Sequence, residues 1–341
     1  MHPSPSADLA ASPAREHGGP DGAGPVRFDF STNANACGPC PSALAAVRAA
    51  DATRYPDPRY TALRERLAAF HAVQPRRVVL AASASEAIFR ITAWAAQRGL
   101  RQARIPARAY GDYAAAATAW GLAVHRAEGT PAPLPAPGAA AALVWACDPS
   151  SPRGTSEPVP ATGSDDLLVV DRAYAPLRLS GTSAWAQADL DRAWQLWSPN
   201  KALGLTGLRA AYAIAPQGDE AGAAGMEALA PSWPVGAHGV ALLQTWCDAK
   251  TQHWLADSLV ILRAWKVRQQ AICRELGWSV LPGDTPFYCA QVPLTPGRAA
   301  SLRQAGIRLR DATSFGLPGH ARLSVQPPEA QDALRTAWRG T

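Results

Sequence analysis

Lysine is nearly absent from this 341-residue chain. It occurs at Lys201, Lys250 and Lys266, and arginine supplies the rest of the 33 basic residues. Long apolar runs are missing as well. No segment approaches the roughly 18 uninterrupted apolar residues of a membrane-crossing helix, so a membrane partner is not expected. Met1–Pro25 is rich in Pro, Ala, Gly and Ser and lacks the apolar core of a secretory signal. It reads as a disordered arm over 1–26, and the protein as cytoplasmic. There is no basic block with interleaved aromatics, which argues against nucleic acid as a partner. The net charge of +6 is spread along the chain and suits a small anionic ligand equally well.

Cysteine is sparse and scattered, at 37, 40, 147, 247, 273 and 289. Cys37-Gly-Pro-Cys40 has redox spacing, and such a pair at a helix start has a reactive thiol. Here it follows the coil-like Phe28-Asp-Phe-Ser-Thr-Asn33 rather than a buried strand, so two incidental cysteines are the expectation. No second ligand pair has the spacing of a zinc site, and no metal is expected.

What is present is an ordinary globular composition, 48% hydrophobic and 18% charged, with enough length for one large domain and a smaller one. After helical patterns at 41–50 and 60–71, short apolar runs alternate with helical patterns. Strands are expected at 78–80, 103–105, 122–125, 141–147, 167–171, 194–197 and 210–213, with helices at 85–98 and 110–120. This alternation predicts an α/β fold with a mostly parallel sheet covered on both faces. A long, broken helical pattern over 235–276 leads to strands near 278–281, 287–292, 307–310 and 321–325 and helices at 296–305 and 329–338. The expected division is a large domain over 27–240 and a small α+β domain over 241–341.

In a chain that otherwise uses arginine, a retained lysine points to chemistry a guanidinium cannot do. An amine can lose its proton and form an imine. Lys201 lies in Ser198-Pro-Asn-Lys201-Ala-Leu-Gly-Leu-Thr-Gly-Leu-Arg209, where a serine and an arginine could hold a phosphate beside it. A solvated lysine before a Gly-rich turn is the plain alternative. The run Leu167-Leu-Val-Val-Asp171-Arg-Ala-Tyr174 ends a buried strand on a carboxylate. A buried carboxylate is costly unless partnered. Its partner could be a helix cap, a cation or a protonated ring nitrogen.

Taken together, these residues resemble the class I/II aminotransferases of fold type I, in the branch that holds histidinol-phosphate aminotransferase and the cobalamin-pathway threonine-phosphate decarboxylase. The resemblance runs over about residues 27–340, and its motifs come in the family's order. It implies a seven-stranded-type sheet, pyridoxal 5'-phosphate as cofactor, and a homodimer. It implies that Lys201 is the imine-forming lysine, with Asp171 on the cofactor's ring nitrogen and Tyr174 on its phenolic oxygen. Ser83, Ala84, Ser85, Ser198, Asn200 and Arg209 would hold the phosphate, and Tyr110 would stack on the ring. Ser151 would stand near the ring oxygen. Tyr55, in Tyr55-Pro-Asp-Pro58, would reach the cofactor phosphate of the neighbouring subunit. Asn35, Arg310 and Arg322 would bind the substrate, an amino acid or phosphorylated amino acid exchanging its amino group with a 2-oxo acid. Decarboxylation on the same cofactor, or a degenerate cofactor-binding protein, are the alternatives.

The chain departs from the family pattern in places. Asp148-Pro-Ser-Ser151-Pro-Arg-Gly154 stands for the family's Asn-Pro-x-Asn-Pro-Thr-Gly, which puts Asp148 in a position to face the substrate. Asn200 precedes the lysine where a serine or threonine is usual. The short span between Gly154 and Asp171 implies that a helix there is reduced or missing.

Overall fold

The computed structural model describes residues 18–127 and 140–340. Thirteen strands are present among them: β1 (Phe28–Asp29), β2 (Val78–Ala81), β3 (Gln102–Pro106), β4 (Ala123–Ala127), β5 (Leu143–Cys147), β6 (Leu167–Asp171), β7 (Trp194–Trp197), β8 (Ala211–Ile214), β9 (Ser279–Val280), β10 (Phe287–Gln291), β11 (Ile307–Arg308), β12 (Arg310–Asp311) and β13 (His320–Ser324).

Seven of them form one sheet in the order β2-β8-β7-β6-β5-β3-β4. All its neighbours are parallel except β8, which runs antiparallel to both β2 and β7. The central strands β5 and β6 are buried along their whole length, so they read in sequence as unbroken apolar runs rather than alternating ones. Alternation still sorts the sheet's side chains between its two faces. Val79, Ala81, Trp145, Val169 and Leu196 pack with helices Ala84–Gln97, Gly111–Ala119 and Glu220–Ala228 on one face. Val78, Leu80, Tyr212 and Ile214 meet helices Pro41–Arg48, Thr61–His71 and Ala237–Trp246 on the other. The edge strand β4 carries His125 and Arg126 to solvent, and charge on an edge discourages pairing with other chains.

The expected helical stretch over 235–276 is two helices, Ala237–Trp246 and Ala249–Glu275. The second leads to a four-stranded sheet, β12-β13-β10-β9, all antiparallel. The single strand expected at 307–310 is in fact two. β11 pairs in parallel with β1, and β12 pairs with β13 in the other sheet. No helix forms between Gly154 and β6, as its short span implies.

The arm expected over 1–26 lies outside the described residues as far as residue 17. Its remainder is fastened, contrary to the expectation. Gly19 N donates to Ser31 Oγ at 2.9 Å, and Arg303 reaches both Asp21 oxygens at 2.7 and 2.9 Å. Arg308 adds a bond to Gly19 O. No helix of the described residues is long and apolar enough to cross a membrane.

Candidate functional site

Ligands in doubly wound sheets sit beyond the carboxyl ends of the strands. Asp171 ends β6, Asp148 follows β5, Ser198 follows β7, Ser83 follows β2 and Tyr110 follows β3. Arg209 lies just before β8, whose reversed direction brings it to the same edge.

Asp171 is buried at 6% exposure. Ala173 N donates to its Oδ1 at 2.9 Å and the Tyr113 hydroxyl to its Oδ2 at 2.7 Å. Each carboxylate oxygen has two acceptor positions, so capacity remains for a further donor. Burial raises its pKa, against the opposing pull of Lys201. Lys201 is the mirror case. Burial lowers its pKa, Asp171 works against that, and Arg209 and Arg322 add to it. Its Nζ stands 5.5 Å from the Tyr174 ring centroid. Tyr174 is pushed up to about 12 by burial, with Arg322 pulling the other way.

The loop that carries Lys201 is fixed from both sides. Ser198 Oγ donates to Asn200 Oδ1 at 2.8 Å, and the Asn200 amide donates to Leu208 O at 3.0 Å. Asn200 therefore ties the lysine loop to the strand entry bearing Arg209. Its side chain is occupied by protein rather than turned to a phosphate, a correction to its expected role. Asn35 is corrected in the same way. Its amide donates to Ala202 O at 3.0 Å and Ser258 Oγ at 2.7 Å, and its own N–H to Lys201 O at 2.9 Å. It clamps the lysine loop to helix Ala249–Glu275 and has no donor left for substrate. Two residues earlier, Asn33 faces Tyr174 instead, with its amide 3.5 Å from the phenol oxygen. Its Oδ1 is buried and lacks a partner among the described residues. The two segments touch backbone to backbone. A Cβ on Gly38 would lie 2.8 Å from Gly204 Cα, and one on Gly204, which is at φ 65°, would lie 2.8 Å from Gly38 Cα.

At the opposite end, Ser83 caps helix Ala84–Gln97 by accepting from Glu86 N at 3.0 Å. The first amides of a helix have no intrahelical acceptor, so this turn favours an anion. Glu86 in that turn reaches back to accept from Ala82 N at 3.1 Å, and its charge is offset by Arg90 at 2.8 Å. Ser85 Oγ lies 3.2 Å from the Tyr110 hydroxyl, which joins Tyr110 to the same corner, and burial raises the Tyr110 pKa. Arg209 is exposed and has no ion-pair partner among the described residues.

Asp148 does not face a substrate. It is fully buried between Arg178 at 2.9 Å and Arg172 at 3.6 Å, and Ser183 Oγ donates to it at 2.5 Å. Ser151 is buried, and its N–H is directed to the Cys147 sulfur.

Arg310 and Arg322 sit directly opposite each other on β12 and β13. Like charges in that relation repel unless an anion lies between or near them. Both guanidiniums lie over the Phe315 ring, at 5.0 and 5.4 Å. Arg322 donates to Ser31 O at 2.9 Å, and its Nε is buried without a partner among the described residues. Tyr55 is 76% exposed and stacks on Trp233 at 4.4 Å, outside this pocket.

Cys37 is half-buried and its thiol is pushed up to about 11 by burial, while Cys40 is buried. Such thiols do not suit exchange chemistry at neutral pH. Among the described residues no cluster of three potential metal ligands occurs.

The residues present fit pyridoxal phosphate. There is an amine for its aldehyde, a carboxylate with spare acceptor capacity for its ring nitrogen, and a helix start with an unpaired arginine for its phosphate. Sequence reading passed over Asn33 and Tyr113, although Tyr113 is one helical turn from Tyr110 and so shares its face.

Comparison with known proteins agrees with this fit. A stretch of 161 residues, 47% of this chain, is 28% identical to the histidinol-phosphate aminotransferase of Halorubrum lacusprofundi, of which it covers 42%. The matched stretch thus spans less than half the length of that relative. Histidinol-phosphate aminotransferase from Sinorhizobium meliloti, solved with pyridoxal-5'-phosphate, superposes with TM-score 0.77 at 20% identity over 93% of this chain and 92% of that one. L-threonine-O-3-phosphate decarboxylase from Porphyromonas gingivalis does so with TM-score 0.68 at 18% identity, over 87% and 91%. These structures share the fold. The family model described as aminotransferase class I and II matches residues 26–335, and the chain belongs to that family.

Proposed function

We propose that the protein is a pyridoxal-phosphate-dependent aminotransferase whose amino substrate carries a carboxylate or a phosphate. One observation carries the reading: the half-buried Lys201 amine lies close enough to the buried Asp171 carboxylate and to the Arg322 guanidinium to feel both charges.

Lys201 would hold the cofactor's aldehyde carbon, Asp171 its ring nitrogen and Tyr174 its phenolic oxygen. The start of helix Ala84–Gln97, with Ser83 and Ser85 and with Arg209 opposite, holds its phosphate. The bound cofactor supplies an electron sink for the pair left when the substrate's α-proton departs. Asp171 keeps a proton on the ring nitrogen. Lys201 Nζ, as a neutral amine, would take the substrate's α-proton as a general base. Burial makes its neutral form more accessible than that of a solvated lysine. Arg322 and Arg310 grip the substrate's anionic group and set which bond faces Lys201, a task that suits planar guanidiniums. The exposed Tyr55–Trp233 stack supports a homodimer in which this pair reaches a second copy's site.

The test has two stages. Protein mixed with pyridoxal phosphate is expected to develop a visible absorption band, fixed by borohydride as a label on Lys201. The half-reaction with histidinol phosphate, the substrate named by the relatives, or with simple amino acids is then expected to yield a keto product. Absence of the band in the wild-type protein overturns the reading. Release of carbon dioxide without a keto product replaces transamination by decarboxylation.

A further inference from the structure

Tyr113 takes part in no step assigned above, yet it touches the residue on which the cofactor's ring would depend. It lies on helix Gly111–Ala119 and is fully buried. Its ring stacks on Trp145 of β5 with centroids 4.6 Å apart and planes 8° from parallel. That stack fixes the phenol's direction, and its hydroxyl meets Asp171 Oδ2 at 2.7 Å. The bond joins a helix on one face of the sheet to the end of a central strand. A hydrophobic residue there would satisfy packing equally well. The hydroxyl is therefore the part that needs explaining.

We propose that Tyr113 is a positioning residue for the reaction, whose hydrogen bond holds the Asp171 carboxylate ionised and aimed so that the shared proton stays on the cofactor's ring nitrogen. The proposal rests on the aminotransferase reading. The physical reason is competition for charge. A carboxylate that accepts a short hydrogen bond in a dry site is a weaker base toward any other donor. With Ala173 N on Oδ1 and Tyr113 on Oδ2, Asp171 has lone pairs left for one more donor but less tendency to take that donor's proton. The other groups facing Asp171 are Lys201 from the loop after β7, Cys147 from β5 and Tyr174 from its own turn. Bound to the cofactor, the Lys201 nitrogen would no longer be a free ammonium beside Asp171. Tyr113 stays, so its weight grows in the loaded protein.

Tyr113→Phe removes the hydroxyl and keeps the stack. The readout is the pH midpoint of the visible band of the lysine-bound cofactor. If the ring nitrogen loses positive charge, the conjugated lysine nitrogen binds its proton more tightly. The midpoint is then expected to rise by about half to one unit, with a threefold to tenfold slower half-reaction and little change in donor affinity. Trp145→Phe keeps an aromatic ring against the phenol and leaves the hydroxyl on Asp171, and its midpoint is expected to stay at the wild-type value. A Tyr113→Phe midpoint that does not move, or an equal shift in Trp145→Phe, overturns the proposal. If Tyr113→Phe does not fold, a fluorotyrosine at position 113, being a stronger donor, must lower the midpoint instead, and an unmoved midpoint there is equally fatal. A wild-type protein with no band sinks the parent reading, whereas a band with an unmoved midpoint sinks only this one.

Discussion

Asp148 and Asp171 are two buried carboxylates at the ends of neighbouring strands, so close that Asp148 N donates to Asp171 O at 3.0 Å. Their surroundings are opposite. Asp148 has two guanidiniums and a hydroxyl on it. Asp171 has one phenol, one backbone amide and a lysine whose pKa burial lowers. The first carboxylate is used up inside the protein, where it fixes the turn after β5. The second is left short of partners, as a group must be if it is to meet a ligand. A buried charge with its partners complete reads as structure. One with a partner missing reads as a site.

The sharpest break of this comparison is Asp171→Asn. Transamination is expected to fall roughly 10²–10³-fold, because a carboxamide cannot hold a proton on the ring nitrogen. Stability should move the other way. Burial raises the Asp171 pKa, so the folded protein binds more protons than the unfolded chain between the two values. Stability therefore falls as pH rises through that window, and the ionised group is a standing cost above it. Cofactor-free Asp171→Asn is expected to melt no lower than wild type at neutral pH. A melting temperature as low as that of an Asp148 variant would erase the distinction.

Asp148→Ala is expected to do the reverse. It leaves the largely shielded Arg172 and Arg178 without their shared carboxylate, a loss of about 3 kcal/mol readable in denaturant titrations. The folded fraction should still form the visible band on Lys201.

Arg322→Lys tests the other charged end of the pocket. An ammonium cannot reproduce a two-bond grip on a carboxylate, at a loss of about 1.5–3 kcal/mol. KM should rise by roughly tenfold or more with kcat nearly held, as steady-state kinetics would read.

The smallest effect concerns His71, which meets the Tyr212 hydroxyl at 2.7 Å and feels the Arg172 charge. Burial, with Arg172 in support, lowers its pKa to about 4. The unfolded chain binds more protons between that value and about 6.5, so this contribution is complete above 6.5 and lost as pH falls toward 4. In Asp148→Ala the Arg172 charge is no longer offset, and the His71 titration, followed by NMR, should move lower still.

Much of this was legible in the sequence, and the reasons differ by element. β6 and β7 begin and end where expected, because both strands are covered and are apolar but for the buried Asp171 and Gln195. Lys201, Asp171, Tyr174 and Arg322 come from separate motifs and lie near one another in the fold, and their joint role is the reading proposed above. Helix Glu220–Ala228 was not foreseen: Gly and Ala give it little periodicity, and its clearest sign is the Asp219 cap. The division at Leu309 was hidden because two short strands in different sheets look like one in a line of letters. Asn33 and Asn35 could not be told apart, since their difference is which neighbour each amide reaches across the fold. Asp148 misled for the same reason, since its arginines lie 24 and 30 residues downstream.

The meeting of Gly38 with Gly204 has a consequence for how such a protein can change over generations. Neither position can gain even a methyl group while the other backbone stays where it is. The segment that offers Asn33 and the loop that offers Lys201 are therefore not free to drift apart one mutation at a time. Descendants of this chain should alter the pair together or leave both alone. Insertions that broaden the pocket should accumulate elsewhere along its rim.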